Sequence, residues 1–92
     1  MNNENENNEI NINDRIEKGK FYFVNEKYEF AIREFKEVLK VNKNLPDVFY
    51  NLGISYESSN DFDKAKENYL KALELDPEHK MAKDHLDRML DK

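Results

Sequence analysis

The sequence predicts an all-α protein in which five helices form antiparallel hairpins stacked as a short α-solenoid. The chain of 92 residues contains only two Gly and two Pro, too few for the repeated sharp turns of a β-sandwich or barrel. From Asn13 onward the apolar residues recur at helical spacing, and polar breaks divide the chain into five segments. Hydrophobic residues make up 38% and charged residues another 38%, the balance of a helical protein with one thin apolar seam and a solvated exterior. A chain of this length would bury only roughly 60% of its unfolded surface, so its core must be economical.

The elements follow in order. Residues 1–11 are mostly Asn and Glu, too polar to offset the entropy of ordering, and are expected to be a disordered tail. The first helix should begin near Asp14, capped by its carboxylate with Glu17 completing a capping box, and end near Asn25. The second runs from about Lys27 to Val41 on a stripe of Phe30, Ala31, Phe35, Val38 and Leu39. Asn42, Lys43 and Asn44 form its polar exit. Pro46 suits the first turn of a third helix that ends around Ser58, Ser59 and Asn60. The fourth spans about Phe62 to Leu75, with Asp61 and Asp63 at its start, where acids favour the helix dipole. The fifth is expected just after Pro77 and continues to about Leu90, with Met81, Ala82, Leu86, Met89 and Leu90 as its apolar side.

Composition also limits function. Without Cys there is no disulfide, thiolate metal site or Cys nucleophile. No apolar run reaches the roughly 18 to 20 residues of a membrane span, and the N-terminus lacks the pattern of a signal peptide. A cytoplasmic protein with no membrane partner is expected. The formal charge of −5 would repel phosphate backbones, and no face of any single predicted helix concentrates Lys and Arg, so no nucleic acid is expected.

Shifting the sequence by 34 residues aligns Gly19 with Gly53, Tyr22 with Tyr56, Tyr28 with Phe62, Ala31 with Ala65, Phe35 with Tyr69, Val38 with Ala72 and Leu39 with Leu73. Each copy holds two helices. Gly inside a helix costs about 1 kcal/mol relative to Ala, so Gly19 and Gly53 point to close helix–helix approach, as do Ala31 and Ala65.

On these residues the chain resembles the tetratricopeptide repeat family. The stretch Asn51-Leu52-Gly53 with Tyr56, then Asp61, Phe62, Ala65, Tyr69 and Ala72 to Pro77, is similar to its consensus. The first copy keeps Gly19, Tyr22, Tyr28, Ala31 and Phe35 but has Lys43 at the consensus Pro and Lys18 opposite Leu52. The resemblance implies a right-handed solenoid with repeats at 12–45 and 46–79 and a capping helix at 80–92, together one domain over 12–92. It implies binding of another protein or peptide on the concave side, which the first helix of each pair lines. The expected peptide-binding residues are Ile16, Lys20 and Phe23 on the first helix, Tyr50, Asn51 and Ile54 on the third, and His85 and Arg88 on the fifth. The chaperone-tail clamp of some family members matches only at Asn51, since Ile16, Lys20, Met81 and His85 occupy its other positions. Self-association is the alternative, because two repeats make a short array.

Catalysis has little support. His79 and His85 stand six apart, on different faces if helical, and cannot make the i, i+4 metal pair. No phosphate loop or nucleophile with its base can be assembled. No cofactor is expected.

Overall fold

A computed structural model describes residues 12–91; the predicted tail, 1–11, lies outside them. Five helices are described: α1 (Ile12–Val24), α2 (Tyr28–Val41), α3 (Pro46–Ser58), α4 (Phe62–Leu75) and α5 (Lys80–Leu90). Helices α1 and α2 pair, as do α3 and α4, and α5 packs on the second pair. Since α3 also touches both α1 and α5, the first helices form one layer and α2 and α4 the other. The fold is a helical-repeat solenoid.

One continuous core runs through both pairs. Ala31, Phe35 and Val38 of α2 meet Val48, Leu52 and Tyr56 of α3, then Ala65, Tyr69 and Ala72 of α4, and finally Ala82 and Leu86 of α5. The two glycines make the pairs close. A Cβ on Gly19 would stand 2.5 Å from Cε1 of Phe35, and one on Gly53 would stand 2.5 Å from Cδ1 of Tyr69. Both rings are fully buried, so neither can swing away, which accounts for glycine inside otherwise good helices.

The turn inside each pair is also repeated. Glu26 and Asn60, 34 positions apart, have φ of 64° and 68°. At the first turn Glu26 N donates to Phe23 O at 2.9 Å and Lys27 N to Tyr22 O at 2.8 Å; at the second, Asn60 N donates to Glu57 O and Asp61 N to Tyr56 O. This is a helix stop in which a left-handed residue lets the following amides reach back to orphan carbonyls. Asn tolerates that conformation, whereas Glu has no local reason to. Glu26→Gly is therefore expected to raise stability by about 1 kcal/mol, read as a higher denaturant midpoint at unchanged m-value.

Three sequence expectations change. Helix α1 already runs at Ile12, so Asp14 lies inside its first turn and favours the dipole there rather than capping. Helix α5 starts at Lys80, not directly after Pro77, because Asp76 Oδ1 accepts from Glu78 N at 3.0 Å and holds a turn there; His79 becomes the cap, its Nδ1 accepting from Ala82 N at 3.2 Å. On α5 Ala82 and Leu86 are buried in the core and Met89 packs against it, while Met81 and Leu90 are 55% and 60% exposed. No further helix stands against that side among the described residues. Asp61 does cap α4, accepting from Lys64 N at 3.3 Å.

Candidate functional site

A cluster of polar and aromatic groups lies where α3, α4 and α5 meet. Helix α3 brings Tyr50 and Glu57, two turns apart on one stripe; α4 brings Tyr69, α5 brings His85 and Arg88, and the α5 cap brings His79. The Tyr50 ring sits between the two imidazoles, with centroids 5.3 Å from His79 and 5.4 Å from His85, and 6.0 Å from Tyr69. Three polar contacts fix this arrangement. Tyr69 OH donates to Glu57 Oε1 at 2.6 Å. His85 stands between the two tyrosines, its Nε2 3.3 Å from Tyr50 OH and its Nδ1 3.3 Å from Tyr69 OH.

Outside this core the cluster opens to solvent. The exposed Arg88 guanidinium approaches His85 Nδ1 at 3.3 Å, and Glu57 lies 3.5 Å from the same nitrogen. Glu57, Arg88, Phe62 and Met89 line a cavity of about 330 Å³ beside it. Across the cluster, His79 Nε2 meets Asp47 Oδ1 at 2.7 Å. Every polar group here has a partner, and no buried side-chain polar atom among the described residues lacks one. The site therefore presents a polar surface whose accessible charges are Arg88, Asp47 and the part-exposed Glu57.

Burial sets the electrostatics. Burial first, then the hydrogen bond from its own hydroxyl to Glu57 and the charge of that carboxylate, hold the Tyr69 hydroxyl protonated far above the ordinary 10.0. Burial likewise raises Tyr50, which Arg88 partly opposes. Because the folded-state values lie above the unfolded one, the stability linked to these two phenols is complete below pH 10 and is lost as pH rises beyond it. Melting temperature should therefore fall more steeply above about pH 10 in the wild type than in Tyr69→Phe, and an absorbance titration should show two tyrosines ionising late.

The predicted site residues divide into two groups. Tyr50, His85 and Arg88 belong to the cluster, and Asn51 and Ile54, half-buried, flank it on α3. Ile16, Lys20 and Phe23 lie apart. Ile16 and Phe23 pack against the core, the Phe23 ring tilted against Tyr28 with centroids 5.4 Å apart, and exposed Lys20 pairs with Glu17 at 3.7 Å. No hydrogen bond, ion pair or ring contact joins these three to the cluster among the described residues. The four apolar residues of the expected floor, Ile16, Phe23, Tyr50 and Ile54, are half-buried and pack against the core with one side.

Sequence reasoning missed three members. Helical spacing puts His79 on a different face from His85, but as the helix cap it lies outside the helix and meets the same tyrosine. Tyr69 and Glu57 were legible as a pair: the first repeat carries Phe35 and Phe23 at the corresponding positions, so the second gains a hydroxyl and a carboxylate together, and these two bond to each other. Among the described residues no group of three or more His, Cys, Asp or Glu could hold a metal ion.

Two family profiles match the chain, one described as tetratricopeptide repeat over residues 46–79 and one as TPR repeat over residues 19–59. The chain belongs to the tetratricopeptide repeat family. Tetratricopeptide repeats generally mediate protein–protein interaction. The chain is also similar to Heat shock protein STI1 of Saccharomyces cerevisiae, 36% identical over 63 residues. That match takes in 68% of this chain and spans only 11% of the relative's length. Among the described residues no helix is long and apolar enough to cross a membrane.

Proposed function

We propose that the chain is a non-catalytic, cytoplasmic binding module that takes a segment of another protein against the α1–α3–α5 face, centred on Tyr50, Asn51, Ile54, His85 and Arg88. The observation that carries this reading is the aromatic and histidine cluster, with Arg88 and Glu57 beside an open cavity on one side and Asp47 on the other. Rings held on several sides lose little entropy when a partner covers them, and Arg is suited to a carboxylate or carbonyl of the arriving chain. Residues 12–45 and 46–79 are read as the two repeats, and 80–92 as a cap that also completes the site.

Tyr50 cannot be the test residue, since its ring is part of the packing. Asn51→Ala with Arg88→Glu alters only accessible groups and should leave the melting temperature nearly unchanged. Partners captured from the source cell on wild-type protein should be lost or reduced at least about tenfold on this variant, an effect of about 1.4 kcal/mol or more. Equal capture by the folded variant rejects the face. Self-association remains a second reading because Met81 and Leu90 of α5 are exposed; light scattering across a concentration series decides it.

A further inference from the structure

On the other side of α3, the stripe of Phe49, Leu52 and Tyr56 faces away from Tyr50 and forms the floor of a second open groove, of about 480 Å³, between α2 and α4. Leu39 of α2 completes that floor. Its rim is basic. Lys36 and Lys40 come from α2, Lys43 from the turn that follows, and Lys64 and Lys71 from α4, against Glu67 as the one carboxylate among the lining residues. No single helix concentrates these charges. They meet only because the solenoid sets the two outer helices side by side, which a reading of each helix face by itself does not reach.

The lysines are mostly available. Lys40 is paired, at 2.8 Å from Glu37, and the ammonium of Lys64 lies 5.8 Å from the centre of the Tyr56 ring. Lys36, Lys43 and Lys71 form no ion pair among the described residues. Gathering like charges around an apolar floor is unfavourable in the free protein, and an arriving anion relieves it. In a chain of net charge −5 the groove is a positive patch on an acidic molecule.

We infer that the α2–α4 groove is a second docking surface, for an acidic protein segment that carries a large apolar residue among several Asp or Glu. Its apolar residue would sit on Phe49, Leu52 and Tyr56 while the flanking carboxylates meet the lysine rim. A nucleic-acid backbone fits less well: it has no apolar side chain for that floor, and the acidic remainder of the domain repels a long polyanion. This surface goes beyond the proposed function and does not depend on it, because it shares no residue with the Tyr50 cluster.

The test titrates the full chain with a fluorescent peptide of Asp and Glu around one central Phe, following anisotropy at low salt. Saturable binding is expected, weakening as salt screens the rim. The double change Lys36→Glu and Lys71→Glu should weaken it at least about tenfold and Lys36→Gln with Lys71→Gln by less; Lys36 and Lys71 are both exposed, and unchanged melting confirms the fold. Replacing the central Phe of the peptide by Ser should also weaken binding, whereas Arg88→Glu in the protein should not. No saturable binding, indifference to the lysine changes or to the central Phe, or tighter binding of a single-stranded oligonucleotide of equal charge overturns the inference.

Discussion

A chain ending at Asp76 is expected to lose most of its stability, because α5 covers side chains that have no other lid. Leu86 and Ala82 leave with it, and Tyr50 loses both imidazoles that flank it. Tyr69, with no exposure in the intact chain, loses His85 from one side. Two or three large side chains at about 1.5 to 3 kcal/mol each come to about 3 to 9 kcal/mol. A domain of this size has roughly 5 to 14 kcal/mol in total. The truncated chain should therefore be mostly unfolded at 37 °C or rescued by self-association, as circular dichroism and light scattering would show. A monomer with the melting temperature of the intact chain would mean that α5 is an appendage and that its apolar side requires another explanation.

Tyr69→Ala should be the most damaging single substitution. Its ring fills the space under Gly53, contacts Tyr50 and His85, and carries the hydroxyl that donates to Glu57. Removing a buried aromatic side chain costs about 3 to 5 kcal/mol, and a rigid helix pair has little room to collapse into the cavity. Tyr69→Phe isolates the hydroxyl. The Glu57 side chain is 31% exposed and can turn to water, so that change should cost only about 1 kcal/mol. A denaturant midpoint for each variant separates the two terms. If Tyr69→Ala and Tyr69→Phe cost the same, the ring is not the support described.

How much of this could be read beforehand follows from where the information resides. Spacing within one helix and its repetition 34 residues on are properties of the chain itself, so the helix order, the close approach at Gly19 and Gly53 and the core line through Ala31, Phe35, Ala65 and Tyr69 were all legible. Helix ends were less so. A turn at Asp76 and Glu78 delayed α5 and made His79 a cap, which no periodicity reports. The candidate site was half legible: Tyr50, His85 and Arg88 share a cluster, while Ile16, Lys20 and Phe23 do not join it. A stripe on one helix shows which way a side chain points but not whether a neighbouring helix has already covered it. The lysine groove was illegible for the related reason that its charges belong to different helices and meet only across the fold.

The central claim is that a partner segment seats on the α1–α3–α5 face at the Tyr50 cluster. Its most direct measurement is an NMR titration of the isotope-labelled chain with the segment of a captured partner, following backbone amides and the two imidazoles. The account predicts saturable shifts at Tyr50, Asn51, Ile54 and His85, with the His85 ring signals moving as its Arg88 contact is replaced. Shifts confined to α2 and α4, or none at the His85 ring while binding saturates, would contradict it.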